Sequence, residues 1–299
     1  MLKLGLGTVQ WGTDYGIANH TGMASADAVA GILRLAQAAG VNALDTAAAY
    51  GTAEDVLGAQ GAAGLGFEII TKTLPLRGIE AGAATAAQRI RERFLVSLEK
   101  LGVASTYGLL VHHAADLLAP GGELVWDVLS GLRREGLVRK IGCSFYHPVE
   151  LIALLQRYDL DLVQIPFNVY DQRFMRTGAL EAARAHNVEI HARSAFLHGL
   201  LLMPEADLPA HFDAIRAHHG RFHRECRIAG VTPLQAALGF VTRCPWIDKA
   251  IVGCESVGQC REILAAATAP SGTEGEDAFF PLALDDEAYI NPGRWPKSN

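Results

Sequence analysis

The sequence predicts an α/β fold, a single (β/α)8 barrel. Three observations carry that expectation. A short strand-like run followed by a longer amphipathic helix recurs eight times along 299 residues. No linker, low-complexity tract or shift in composition interrupts the recurrence, so the units form one domain over 1–299. Half of the residues are hydrophobic, enough to fill a real core. An open doubly wound sheet is the competing arrangement. Eight uninterrupted units without a fingerprint loop favour the closed one.

The first run is Leu2–Gly7. Its helix opens at Ser25, a side chain suited to capping, and turns Val29, Ile32, Leu33 and Ala36 inward before Gly40 ends it. The second run, Val41–Leu44, precedes a helix over Ala53–Gln60. The third, Phe67–Thr71, precedes Ala84–Leu101, and the fourth, Tyr107–Val111, precedes Glu123–Glu135. Val138–Cys143 is followed by His147–Arg157, and Leu160–Ile165 by Arg176–His186. The seventh run is Val188–Ala192, with its barrel helix over Thr232–Arg243, where Thr232-Pro233 makes a cap and first-turn pair. An inserted excursion, 197–230, lies between them, with helical character over Leu208–Cys226. The eighth run is Ile247–Val252, followed by Val257–Ala267. The tail, 268–299, is polar and glycine-rich, ends near P-G-R-W-P, and reads as an irregular flap.

A barrel places its chemistry at the C-terminal ends of its strands. Those ends supply Asp45 and Tyr50 after the second run, Lys72 after the third, and His112 and His113 after the fourth. Ser144 follows the fifth, Gln164 and Asn168 the sixth, Arg193 and Ser194 the seventh, and Gly253 and Ser256 the eighth. A buried strand has no structural need for an acid at its tip, and a loop of alanines has no packing need for a tyrosine. A nearby ammonium lowers a phenol's pKa. A carboxylate keeps that ammonium charged and in place, and a neutral histidine donates to a carbonyl oxygen. Such a group protonates an oxygen as negative charge develops on it. Carbonyl reduction needs that step, with the hydride coming from a cofactor.

In D-T-A-x-x-Y-G, the strand-end lysine, L-L-V-H, K-I-G-C-S-F, D-L-V-Q-I-P-F-N, S-A-F-L-H-G-L-L and I-V-G-C-E-S, taken in this order, the chain resembles the aldo-keto reductase family over Leu4–Leu264. The opening G-T-V-Q-W-G-x-D-Y-G-I-A-N also resembles a bacterial branch associated with sugar metabolism. The resemblance implies an NAD(P)-dependent oxidoreductase that reduces an aldehyde or ketone, a sugar among the candidates, or runs the reverse reaction. It implies Tyr50 as general acid, Lys72 as its pKa partner, Asp45 as the counter-ion of the lysine and His112 as the carbonyl-orienting donor. Ser144 and Gln164 match residues that hold the nicotinamide carboxamide, and Gly7 and Thr8 the turn beneath the cofactor. Arg193 stands where many members stack an aromatic ring. Ser194, Gly253, Ser256 and Gln259 match the pyrophosphate and adenosine-ribose end. Trp11, His113, Tyr170 and Phe196 follow strand ends and are candidates for the substrate pocket.

Three departures from the family pattern stand out. Phe145 replaces an asparagine that often follows the serine. The N-terminal hairpin that usually plugs the barrel floor has no counterpart before Leu2. The family default is NADP(H), but Glu255 lies where a cation would meet the 2′-phosphate, and Arg261 is displaced. NAD(H) is therefore the alternative cofactor.

Two other functions compete. A class I aldolase would use Lys72 as a Schiff-base amine. A nucleotide-binding regulatory or sensor protein would keep the fold with little turnover. The histidines 218, 219 and 223 lack a carboxylate or cysteine at ligand spacing, so no metal is expected and a solvated helix face is. G-L-G-T-V-Q has Gln10 where a dinucleotide fingerprint needs its third glycine, and no helix is expected there. The formal net charge of −6 argues against nucleic acid. No apolar run reaches the roughly 20 residues that span a bilayer, and the five cysteines form no C-x-x-C pair. A cytoplasmic protein with reduced thiols and a small-molecule carbonyl or alcohol substrate is the expectation. The sequence carries no signal for oligomeric state.

Overall fold

The computed structural model describes residues 2–17, 19, 22–76, 83–269 and 276–296. Eight parallel strands close into a barrel in sequential order, a TIM barrel. They are β1 (Leu4–Gly7), β2 (Ala43–Asp45), β3 (Glu68–Lys72), β4 (Thr106–Val111), β5 (Val138–Ser144), β6 (Leu162–Pro166), β7 (Glu189–Arg193) and β8 (Lys249–Gly253). β1 pairs with β8 as well as β2, with Gly7 opposite both Asp45 and Gly253. Closure leaves no sheet edge unpaired.

The outer helices form where caps and apolar stripes allow. Ser25 accepts from Ala28 N and starts Ala26–Ala38, whose buried side chains are the four expected. Gly40 follows at φ +77°, a left-handed conformation natural to glycine. Thr232 and Gln235 form a reciprocal capping box with Pro233 in the first turn, and Pro233–Thr242 buries Ala236, Ala237, Leu238, Phe240 and Val241. Ser256 accepts from Gln259 N and starts Val257–Thr268.

Several expected bounds move. β2 runs through Asp45, so the acid belongs to the strand and not to the loop after it. The helix expected over Arg176–His186 divides into Arg173–Arg176 and Ala179–Ala185, because Gly178 between them is at φ +75°. A one-turn helix, Val9–Gly12, follows β1 where none was expected. The excursion is mostly short 3-10 turns, Leu197–Leu202, Glu205–Asp207 and Ala210–Ile215, before the helix Arg216–Ile228. Pro204 and Pro209 precede two of those turns and restart the backbone each time.

The floor of the barrel is closed by side chains of its own strands. Tyr107 packs on the inner cluster Ala43, Ile70, Leu110 and Leu162. Its hydroxyl donates to Glu189 Oε2 at 2.6 Å. Lys140 Nζ also donates to Glu189 Oε2, and His191 Nε2 meets Glu189 Oε1 at 2.7 Å. Burial raises the pKa of Glu189, but the groups from His191, Lys140 and Tyr107 outweigh it and hold the carboxyl well below its usual range. This polar knot lies where a hairpin plug was expected to be missing.

The tail folds back over the excursion. Its described turns include Glu287–Ile290 and Pro292–Arg294. Glu287 meets Arg173 at 2.9 Å, His147 at 3.1 Å and Arg294 at 2.6 Å. Leu284 N donates to Tyr170 O at 2.8 Å. The part of the tail at 270–275 lies outside the described residues.

Candidate active site

Asp45, Lys72, Gln164 and His112 reach the same end of the barrel because their strands are parallel and in register. Gly7 pairs with Asp45, Asp45 with Ile70 and Lys72 with Leu110. Tyr50 arrives from the loop after β2. That loop is held by a backbone-on-backbone contact. A Cβ on Gly12 would lie 2.1 Å from Tyr50 O, and one on Gly51 would lie 2.2 Å from Gly12 O. Gly51 is also at φ +56°. The glycines of W-G and Y-G are thus what lets the tyrosine loop dock on the turn after β1.

Lys72 is 1% exposed. Its Nζ donates to both oxygens of Asp45 at 2.7 Å and to Thr46 O at 3.0 Å. Tyr50 Oη stands 3.5 Å away. Nζ thus donates to Tyr50 Oη as well, as the longest of its four contacts. Burial lowers the pKa of Lys72, with Asp45 working in the opposite sense. Tyr50 moves in a direction the sequence did not suggest. Burial, and then the Asp45 carboxylate, raise its pKa well above the ordinary phenol value, with Arg193 acting weakly the other way. Burial and the carboxylate prevail at rest, so the phenol keeps its proton.

His112 is neutral. Burial, Lys72, His113 and Arg193 together push its pKa down to about 3. Its ring meets the Tyr50 ring edge-on at 5.9 Å and stacks on His113 at 4.9 Å. Its Nδ1 is buried without a hydrogen-bond partner among the described residues. A neutral imidazole beside a protonated phenol gives two donors for one oxygen.

These groups open on a cavity of about 540 Å³. Asp45, Tyr50, His112, Gly7, Thr8, Ser144, Gln164, Arg193, Ser194, Gly253, Glu255, Gln259 and Phe196 line it. Lys72 sits behind Asp45 and does not. Ser256 lies off the wall and caps the helix Val257–Thr268. Trp11 and Tyr170, expected on the substrate wall, are core residues. Trp11 is 1% exposed, with Nε1 donating to Cys254 O at 2.9 Å. Tyr170 is fully buried, with its hydroxyl 3.0 Å from His219 Nδ1. Both rings carry one polar atom, and each finds its partner in the interior. His113 backs His112 and does not reach the cavity. The solvated face expected for the histidines is also corrected. His219 is fully buried between Tyr170 and Met203 O, and ties the excursion to the barrel.

Tyr146, Glu262, Tyr15 and His198 line the cavity and were not singled out as site residues by the sequence. Tyr146 lies under the Arg193 guanidinium at 4.2 Å, while Phe145 beside it is fully buried. Gln164 Nε2 donates to Asp45 Oδ1 at 2.7 Å. Gln10 Nε2 donates to Glu255 Oε2 at 2.7 Å, and Gln259 Nε2 to Glu255 Oε1 at 2.8 Å. Glu262 joins Glu255 at that end of the cavity. Tyr15 and His198 line the cavity from the loops after β1 and β7. Their signals, D-Y-G and L-H-G, are short and become specific only in three dimensions.

A nicotinamide dinucleotide fits these residues. Among the described residues, Thr8 Oγ1 is buried without a partner, and the side chain of Gln164 bonds through its amide nitrogen, to Asp45. Ser144 and Gln164 stand beside each other in register on β5 and β6. Among the described residues, no group of histidines, cysteines and carboxylates has metal-holding geometry, and no helix is long and apolar enough to cross a membrane.

Comparison with known proteins gives three results. The model of the aldo/keto reductase family matches residues 3–274. A curated relative, the chloroplastic pyridoxal reductase of Arabidopsis thaliana, is 30% identical over 167 residues, which is 50% of this chain and 43% of the relative. The chain thus matches less than half the length of that relative. Among solved structures, an aldo-keto reductase from Bacillus halodurans in its holo form aligns with a TM-score of 0.73 at 18% identity, covering 98% of this chain and 94% of the other. The glycerol dehydrogenase from Gluconobacter oxydans aligns at 0.72 and 21% identity, covering 99% and 94%. At these identities the two structures speak for the fold.

Proposed function

This chain belongs to the aldo/keto reductase family, and from that premise we propose that it is a nicotinamide-dependent oxidoreductase interconverting a carbonyl compound and its alcohol, with Tyr50 as the general acid and base. The observation that carries the reading is that Tyr50, His112 and Asp45 line one cavity, with buried Lys72 paired to Asp45 behind its wall. The cofactor supplies the hydride, and Ser144, Gln164, Thr8 and Arg193 are the residues that would hold its nicotinamide end. His112 orients the carbonyl oxygen. Tyr50 gives that oxygen its proton, and Lys72 next to the phenol stabilises the charge left behind. Asp45 acts one step removed, by fixing Lys72.

Hydride transfer to a panel of aldehydes and ketones tests this. Tyr50→Phe should lower turnover by about 10²–10⁴-fold. Near-parental turnover in that variant would show that the proton comes from elsewhere. The aldolase alternative meets a physical obstacle, because Lys72 is buried and its protons are committed. Borohydride trapping of an adduct on Lys72 would reverse that conclusion.

The cofactor is NAD(H) in this reading. Glu255 and Glu262 are the charged residues at the far end of the cavity, and the only lining cation among the described residues is Arg193. A carboxylate there repels a 2′-phosphate and accepts from ribose hydroxyls. Fluorescence titration should give a dissociation constant for NADH at least about tenfold below that for NADPH, roughly 1.4 kcal/mol. Tighter NADPH binding would overturn the assignment.

A further inference from the structure

Gln10, which breaks the glycine pattern of G-L-G-T-V-Q, lies in the one-turn helix Val9–Gly12 after β1. Glu255 lies 245 residues further on, in the loop after β8, and Gln10 Nε2 donates to its Oε2 at 2.7 Å. Gln259 Nε2 donates to the other oxygen at 2.8 Å, and Gln259 Oε1 accepts from Glu255 N at 3.0 Å. Gln10, Glu255, Gln259 and Glu262 all line the far end of the cavity.

The neighbouring strand tips build this contact from several sides. β1 and β8 pair in register, with Gly7 opposite Gly253. The buried Trp11 indole donates to Cys254 O at 2.9 Å, so the residues next to Gln10 and Glu255 are themselves joined. Ala24 N donates to Gln10 O at 3.0 Å and fixes the backbone there. Gly253 makes room for the amide, since a Cβ on it would lie 2.3 Å from Gln10 Oε1. The amide can face Glu255 only with its nitrogen, because its oxygen would set acceptor against acceptor.

Both side chains that donate to Glu255 are neutral amides. They hold the carboxylate in one orientation without offsetting its charge. A carboxylate has about four acceptor positions, and Gln10 and Gln259 take one on each oxygen. The remaining lone pairs suit a vicinal diol, which brings donors, whereas a phosphate brings charge of the same sign. A carboxylate free to rotate would have to be ordered before it could bind the diol, and could swing away from the phosphate.

We propose that Gln10 is a positioning residue for cofactor selectivity: it holds Glu255 as a fixed acceptor for the 2′- and 3′-hydroxyls of an adenosine ribose, and so favours NAD(H) over NADP(H). This role rests on the NAD(H) reading above.

Fluorescence titration of NADH and NADPH against the parent, Gln10→Met and Gln10→Asn tests it. Methionine keeps the length without the amide, and asparagine keeps the amide without the reach. In both variants the dissociation constant for NADH should rise about fivefold, and the NADPH-to-NADH ratio of constants should fall by about the same factor. In a Glu255→Ala background, Gln10→Met should move that ratio by less than about twofold, because the group it positions is gone. Melting temperatures check folding. Folded variants that keep the parental ratio or bind NADH more tightly would overturn the proposal alone, as would an equal shift in the Glu255→Ala background. A parent that binds NADPH more tightly, or neither cofactor, would overturn the cofactor reading and this proposal with it.

Discussion

Tyr50 keeps its proton because burial and the Asp45 carboxylate both oppose the phenolate. The acid form is thus the resting form, and the Lys72–Asp45 pair beside it is a buried ion pair with few alternatives for either partner. Removing one member should hurt twice. Lys72→Met is expected to cost about 3 kcal/mol in stability, since Asp45 is left buried without its cation, and to lower kcat by about 10²-fold or more. Adding Asp45→Asn should recover much of the stability but none of the activity; melting curves and single-turnover rates on the double variant check both halves. His112, with its pKa near 3, should contribute no ionisation to kcat/KM between about pH 5 and 8. His112→Gln should lower the profile without changing its shape. A parental limb near pH 6.5 that vanishes in the variant would contradict this. At this scale the sequence located the C-terminal parts of the strands, where Asp45, Lys72, Ser144, Gln164 and Arg193 lie and which His112 directly follows. It could not tell that Tyr50 would feel Asp45 more than Lys72, because that depends on how three protons are shared within a few ångströms.

At the scale of elements, strand ends and capped helices were legible because their signals are local. Ser25, the Thr232-Pro233 pair and Gly40 each act within one turn of themselves. The excursion was not, since Pro204 and Pro209 break it into turns whose shape depends on the tail that covers them. Trp11 and Tyr170 were misplaced for a related reason: an aromatic after a strand faces either the cavity or the core, and the deciding partners, Cys254 and His219, are 243 and 49 residues away in sequence. The barrel floor shows side chains of several strands meeting at one acid. Glu189 gathers Tyr107, Lys140 and His191 from three strands and is little exposed. Glu189→Ala is expected to cost about 2–3 kcal/mol by leaving those groups without their acceptor, while turnover per folded molecule stays near the parental value. Urea unfolding monitored alongside activity would show it. A loss of activity without loss of stability would tie the floor to the site in a way the structure does not suggest.

For the whole molecule, the closed barrel follows from eight repeated units and was readable from the sequence. The choice of cofactor and substrate rests on contacts between loops far apart in sequence and was not. Four buried or half-buried histidines, His112, His198, His219 and His223, all have pKa values lowered chiefly by burial. Below their ordinary value of 6.5 the unfolded chain binds protons that the folded chain refuses, so stability falls with acidity. The full contribution of these groups is present above about pH 6.5 and is lost progressively as the pH falls below that value. Glu189, with its pKa depressed, adds a loss in the same direction at lower pH. Thermal melts from pH 7.5 to 4.5 should show a steady decline, and a melting temperature flat across that range would refute it. The placement of Asp45 within β2 has one more consequence. Asp45 and Lys72, the proposed partners of Tyr50, are set by strand register, and His112 directly follows a strand, whereas Tyr15, His198 and Trp295 are fixed by loops resting on one another. In a library selected for growth on new substrates, accepted changes should gather at 13–19, 195–203 and 284–296 and spare positions 45, 72 and 112. Novelty in this protein would then be acquired by its rim, while the chemistry beneath is inherited intact.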